Sequence, residues 1–171
     1  GVRRKNIRVV GGKPLLQWTI EAALSSNKLD QVILSSEDDE IIELAKRMGC
    51  NVPFKRPVEL AGDSVPTIDV ILHALGKLPG YDYVVVLQPT SPLRISEDID
   101  TCVLKCINDG YNSSCSVSKV NNHPNWMYKK DKVGMLSRFI DHDDLVLRRQ
   151  DVPELYASNG AVYVGEYKEG K

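Results

Sequence analysis

The stretch Tyr81 to Leu87, Tyr-Asp-Tyr-Val-Val-Val-Leu, constrains this chain more than any other. Val84, Val85, Val86 and Leu87 follow one another with no polar alternation, so a strand built from them is buried on both faces, as in a sheet covered by helices. Helical spacing flanks it on either side. Upstream, Ile68, Ile71, Leu72, Leu75 and Leu78 recur on one face between Pro66 and Leu78. Downstream, Ser96 caps a helix running to about Asn108, with Ile99, Val103, Cys106 and Ile107 inward.

The alternation extends along the chain. Leu15, Leu16, Trp18, Thr19, Ile20, Ala22 and Ala23 give a first helix from Pro14, a residue suited to a first helical turn, to about Ser26. Gln31 to Ser35 is a short β-branched run. Ser36 and Asp39 then resemble a capping box for a helix reaching Met48 and closed by Gly49. Val52 to Phe54 is extended, and Ser113 to Val120 and Ala161 to Val164 read as further strands. Strands alternating with helices at this spacing predict an α/β fold with a Rossmann-like, doubly wound, mostly parallel sheet. A chain of 171 residues fits one such domain. From His123 to Gln150 the regularity fails, which predicts an excursion from the sheet containing a hairpin (Trp126 to Lys130, Val133 to Leu136).

Charge and cysteines narrow the partners. Lys plus Arg total 22 against 23 Asp plus Glu, so the balance favours neither nucleic acid nor an anionic membrane. Arg3, Arg4, Lys5 and Arg8 nevertheless make the amino-terminal segment a local cationic patch, where an anion would gather contacts of about 1.5–3 kcal/mol each. A solvated chain end is the alternative there. Cys50, Cys102, Cys106 and Cys115 contain no CxxC pair and read as buried free thiols, which favours a reducing cytoplasm. No apolar run approaches the ~20 residues of a membrane span, and no signal-peptide pattern opens the sequence.

In open α/β sheets, ligands bind beyond the carboxyl ends of the strands. Two loops qualify. One is Ser35-Ser36. The other is Gln88 to Arg94, where Pro89 and Pro92 fix the backbone while Gln88, Thr90, Ser91 and Arg94 present an amide, two hydroxyls and a guanidinium. That set suits a polar, partly anionic ligand, although Pro-Thr-Ser-Pro is also ordinary loop punctuation. Arg56 is the ligand candidate of the long loop Lys55 to Ser64, and Arg148-Arg149 offers paired guanidiniums for a carboxylate. His73 belongs to a helix-packing face; His123, between Asn122 and Pro124, is a better functional candidate than His142. GxSxG, HExxH and a complete Walker loop are all missing, which removes the main support for hydrolase and P-loop readings.

These clusters add up to a resemblance. Gly1 to Ile7, Gly12-Lys13-Pro14-Leu15, Arg56 to Ala61 with Asp63, Leu87 to Arg94 (Leu-Gln-Pro-Thr-Ser-Pro-Leu-Arg), Arg149-Gln150 and Asn159-Gly160-Ala161-Val162-Tyr163 resemble the acylneuraminate cytidylyltransferases, in order and spacing, across essentially the whole chain. The resemblance implies a nucleotidyltransferase that couples CTP to a nine-carbon acidic sugar, with Mg²⁺ as cofactor. It places Arg4 and Lys5 at the CTP phosphates, Asn6 against the nucleoside, and Arg56 and Thr67 in the cytidine pocket. Gln88 then bonds the acyl sugar, with Thr90, Ser91 and Arg94 shaping its pocket, and Asn159 matches the Asn of the return strand. Arg149 matches an arginine of a dimerisation arm, here residues 121–157, so a homodimer is implied.

Two departures accompany the match. Family members begin with a strand and a Gly-rich phosphate loop of which only Gly1 remains, and end with a segment carrying metal-binding aspartates, so the expectation is part of a longer polypeptide or a fragment without turnover. Legionaminate or pseudaminate cytidylyltransferases resemble the chain almost equally. A 3-deoxy-manno-octulosonate synthetase fits less well, because that family lacks the Gln-Pro-Thr-Ser-Pro-Leu-Arg loop. A non-catalytic, dimeric nucleotide-binding module is the rival of another class.

Overall fold

The computed structural model describes residues 2, 4–62, 64–140 and 148–168, apart from the Arg149 side chain. Two compact units emerge, Gly1–Ser116 with Gly160–Lys171, and Val117–Asn159.

The first unit opens with a 3-10 turn at Lys5–Ile7, followed by a small hairpin of β1 (Val9–Val10) and β2 (Lys13–Pro14). Gly11 and Gly12 make its turn with φ of 61° and 88°, the left-handed geometry that two-residue hairpins demand. Trp18 supports it from below: its indole Nε1 donates to the Val10 carbonyl at 2.9 Å, and the Lys13 ammonium sits 3.8 Å from the ring centroid. Trp18 belongs to α1 (Leu15–Leu24), which buries Leu16, Thr19, Ile20 and Ala23 at the spacing of one helical face. Pro14 is the residue before this helix and not part of its first turn, because it pairs with Val9 in the hairpin.

Gln31 to Ser35 contributes a single parallel bridge, Ile33 to Asn51, and the piece from Val52 to Phe54 forms no ladder. The following helix, α2 (Asp39–Arg47), is capped by Asp38, whose Oδ1 accepts from the Glu40 and Ile41 amides at 2.9 and 3.3 Å. The expected Ser36–Asp39 box does not form. Ser36 is buried, and its hydroxyl accepts from the Asp38 amide at 3.2 Å to turn the chain into the helix. Asp38→Ala is expected to destabilise the unit by about 1 kcal/mol in urea unfolding, the usual worth of such a cap, with Asp39→Ala costing less.

α3 (Thr67–Lys77) carries the predicted apolar face, but Ile68 and Leu72 on it are more than half exposed. They line an open groove of about 660 Å³ together with Leu75, Val84, Val86 and Tyr163. β3 (Tyr83–Val86) follows, and then α4 (Ser96–Asn108). Ser96 is its first residue and not its cap; the Asp98 carboxylate accepts from the Ile95 amide at 3.0 Å and closes the turn. β4 (Ser113–Lys119) completes this stretch.

The second unit contains a 3-10 turn at Pro124–Trp126 and a hairpin of β5 (Tyr128–Lys130) with β6 (Leu136–Arg138). β6 begins later than the expected strand from Val133. The reason is the Asp131 carboxylate, which accepts from the Val133 and Met135 amides at 3.0 and 2.8 Å and keeps those residues in the turn. His123 is buried, its Nδ1 accepts from the Asn125 amide at 3.2 Å, and its ring meets Trp126 edge-on at 5.6 Å.

β7 (Tyr156–Glu166) is the last strand, and the sheet order is β3-β7-β4. β7 pairs antiparallel with β3, Tyr83 opposite Glu166 and Val86 opposite Tyr163. The expectation of a mostly parallel sheet therefore fails at this pair. Parallel neighbours need a crossover connection, usually a helix, and the chain reaches β7 from a hairpin-bearing excursion instead.

The main core joins Ala23 of α1, Ile99, Cys102, Val103 and Cys106 of α4, and Val162 and Val164 of β7. A second cluster joins Leu16, Ile20, Ala45 and Cys50. Burial pushes the Cys50 thiol up to about 11 and raises Cys102 as well, so both stay protonated near neutrality. All four cysteines are free, but Cys115 is exposed, contrary to the sequence expectation. The two-residue period of β4 turns Ser114 and Ser116 inward and Cys115 outward. Among the described residues no helix is long and apolar enough to cross a membrane.

Candidate active site

Two groups of candidate residues form in the first unit, each beyond the carboxyl end of an extended segment. The first surrounds the amino terminus of α2. The Arg56 amide donates to the Ser36 carbonyl at 2.9 Å, which docks the Lys55-Arg56 loop against the segment leading into the helix. Each nearby cation then meets its own carboxylate. Arg56 pairs with Glu37, Lys55 with Asp39 at 2.7 Å, and Arg4 with Glu40. The helix amino terminus carries partial positive charge of its own, so this short acidic run is stabilised where it lies.

Arg4 is the sole non-glycine residue with positive φ, 56°, among the described residues. That left-handed corner turns the chain into the Lys5–Ile7 turn. Lys5 is exposed, and Asn6 is half-buried with its side-chain oxygen buried and unpartnered. The Ser35 hydroxyl and the Arg56 Nε are likewise buried without partners. Buried polar groups in native proteins are nearly always hydrogen-bonded, so three unsatisfied ones among these candidates stand out, although each atom is shielded from solvent. Thr67 is exposed at the first position of α3.

The second group is the loop between β3 and α4. Two successive turns shape it, with the Ser91 amide donating to the Gln88 carbonyl and the Arg94 amide to the Ser91 carbonyl, each at 3.3 Å. Arg94, 5% exposed, returns its Nη1 to the Gln88 carbonyl at 3.3 Å and to the Ala161 carbonyl of β7 at 2.6 Å. Burial lowers its pKa, with Asp98 opposing the shift. The Gln88 side chain is exposed; its Oε1 accepts from the Thr90 hydroxyl at 3.5 Å. Below it lies Gly160 at φ 77°, where a Cβ would stand 3.5 Å from that Oε1. Ser91 is half-buried.

The remaining candidates fall elsewhere. Asn159 belongs to the second unit, where its Nδ2 donates to the Ser118 hydroxyl at 3.1 Å. The backbone of Arg149 starts a 3-10 turn, but its side chain, like all of Asp63, lies outside the described residues. The carboxylates of Glu37, Asp39 and Glu40, which pair with Arg56, Lys55 and Arg4, were not singled out from the sequence as site residues. The acidic run behind Ser35-Ser36 is the signal that could have pointed to them. Among the described residues no three His, Cys, Asp or Glu side chains converge as a metal site.

Residues 1–169 match the family described as cytidylyltransferase. The chain belongs to that family. Its curated relatives include the CMP-N,N'-diacetyllegionaminic acid synthase of Legionella pneumophila, 33% identical over 96% of this chain and 72% of the relative. The N-acylneuraminate cytidylyltransferase of Escherichia coli is 34% identical over 96% of this chain, which spans 39% of that protein. A pseudaminic acid cytidylyltransferase of Campylobacter jejuni is 31% identical over 98% of this chain and 73% of the relative. Among solved structures, a CMP:2-keto-3-deoxy-manno-octonic acid synthetase complexed with CTP superposes with a TM-score of 0.68, covering 95% of this chain and 67% of that one. At 16% identity that likeness speaks to the fold alone, an α/β fold.

Proposed function

We propose that this chain carries the nucleotide- and sugar-handling core of an enzyme that couples CTP to an N-acylneuraminate, giving the CMP-sugar and pyrophosphate. The observation that carries the reading is the Gln88 to Arg94 loop, folded so that the Gln88 amide stands exposed over Gly160. Membership of the cytidylyltransferase family supports the same reading. Legionaminate or pseudaminate is the alternative sugar, since relatives named for all three acids lie within 31–34% identity.

In the reaction, the anomeric hydroxyl of the sugar attacks the α-phosphorus of CTP. A new P–O bond forms as the bond to the β-phosphate oxygen breaks and pyrophosphate leaves. Arg4 and Lys5 neutralise the phosphates, Asn6, Arg56 and Thr67 seat the cytidine, and Gln88 fixes the sugar with Thr90 and Ser91 beside it. Such transfers depend on positioning and charge more than on a strong general base, which suits a site rich in Arg, Lys, Gln and Ser. Mg²⁺ belongs to the reading as the companion of the triphosphate. Among the described residues no three His, Cys, Asp or Glu side chains converge to hold it; carried by the triphosphate, it would neutralise phosphate charge beside the cations named above.

A homodimer is part of the proposal, with residues 121–157 as the arm that carries Arg149. The exposed Met127, Tyr128, Val133, Met135, Leu136 and Phe139 of that segment support an interface role. Its free thiols suit a cytoplasmic enzyme.

The test is pyrophosphate release by the full polypeptide with CTP, Mg²⁺ and a panel of N-acetylneuraminate, legionaminate, pseudaminate and 3-deoxy-manno-octulosonate, alongside calorimetric CTP binding. CTP-dependent release with N-acetylneuraminate foremost is expected. Preference for another nonulosonic acid would move the substrate, CTP binding without release would favour a binding module, and absence of both would overturn the proposal.

A further inference from the structure

Arg94 occupies an unusual position for a residue at a ligand loop. Its side chain is 5% exposed, and its Nε and Nη2 are both buried and unpartnered, so a ligand has no path to them without displacing protein. The one nitrogen in use, Nη1, spends both of its contacts on main-chain carbonyls. One carbonyl belongs to Gln88 and the other to Ala161, the residue after the glycine that underlies the Gln88 amide. The guanidinium thus closes the seven-residue loop on itself and ties it to β7 at the point where Gln88 and Gly160 meet.

We propose that Arg94 is a positioning residue that sets the height and direction of the Gln88 amide over Gly160, and that it governs sugar recognition without touching the sugar. This rests on the functional reading above, in which Gln88 binds the acid sugar. A lysine keeps the charge but ends one bond short of Nη1 on a flexible stem, so its ammonium does not reach the point where the rigid guanidinium holds Nη1 against both carbonyls. Small displacements at such a site are amplified, because a misplacement near 1 Å costs on the order of 100-fold in rate.

The experiment is a double-mutant cycle in the full polypeptide with Arg94→Lys, Gln88→Ala and the combination, reading kcat and KM for the sugar acid and CTP affinity separately. Arg94→Lys is expected to lower kcat/KM for the acid by about 10-fold while CTP affinity stays within about twofold. Combined with Gln88→Ala it should add nothing beyond Gln88→Ala alone, because both changes remove one interaction. Multiplying effects, or an unchanged kcat/KM for the acid in Arg94→Lys, would overturn the inference while leaving the enzyme assignment standing. If the lysine variant does not fold, the guanidinium resonances of the unmodified protein decide: Nη1 protons that exchange slowly, and stay so when the acid is added, support the tie. Rapidly exchanging protons overturn it, and this readout holds even if the unmodified protein turns over no sugar and the functional reading itself has failed.

Discussion

Arg56→Ala is expected to weaken CTP binding by one to two orders of magnitude with little change in unfolding free energy. Two effects act in the same direction. The substitution removes a guanidinium whose charge-assisted bonds contribute about 1.5–3 kcal/mol, a factor of roughly 10–100. It also leaves Glu37, only about a third exposed, without its partner beside an incoming polyanion. Stability is spared because the pair is partly solvated, and such pairs are worth at most about 1 kcal/mol. Calorimetric titration with CTP checks this, and adding Glu37→Gln to Arg56→Ala should recover part of the loss by removing the stranded charge. Lys5→Ala should weaken CTP binding too under the proposed reading, in which the exposed Lys5 meets phosphate. Unchanged affinity in both single variants would remove these residues from the nucleotide site.

Ile99→Ala should cost about 3 kcal/mol in urea unfolding, the middle of the range for truncating a fully buried isoleucine. Ile99 has no exposed surface and belongs to the cluster of Ala23, Val103, Cys106, Val162 and Val164, where α1, α4 and β7 meet. A loss of that size is a large part of the 5–15 kcal/mol that holds a typical domain folded. Ile107→Ala on the same helix is the control, because Ile107 is 45% exposed and should change stability by less than about 0.5 kcal/mol. Similar losses in the two variants would show that the inner face of α4 is not closely packed.

The helices were legible because a period of 3.6 survives in sequence whatever the helix packs against. Leu16, Thr19, Ile20 and Ala23 are an instance, and the predicted ends lay within a few residues of the observed ones. Caps were less legible. At α2 the Asp38 carboxylate caps the helix at the Glu40 and Ile41 amides in place of Ser36, and at α4 Asp98 reaches back to the Ile95 amide while Ser96 lies inside the helix, shifts of register that spacing does not decide. Strand direction was not legible at all, since Ala161 to Val164 reads the same whichever way β7 runs.

The site divides in the same manner. The Gln88 to Arg94 loop was visible because two prolines and a clustered polar set are local facts. The pairing of Arg56 with Glu37, 19 residues away, depends on the Lys55-Arg56 loop docking at Ser36, which nothing local announces. Arg94 was read as a pocket residue because guanidinium beside hydroxyls suggests a ligand, while its burial is a property of the packed chain alone.

Arg4, Lys55 and Arg56 are each paired with a carboxylate, so under the proposed reading a nucleotide that meets Arg4 and Arg56 exchanges places with their resident partners. A small monovalent anion gains little by displacing one carboxylate, because the displaced carboxylate is left uncompensated. A chain of phosphates that engages several cations at once releases their partners together, so discrimination by phosphate number is steeper than simple attraction would give. Added salt loosens the resident pairs as it screens the incoming nucleotide. The two effects oppose each other, and nucleotide affinity should fall with ionic strength more gently than unpaired cations would produce.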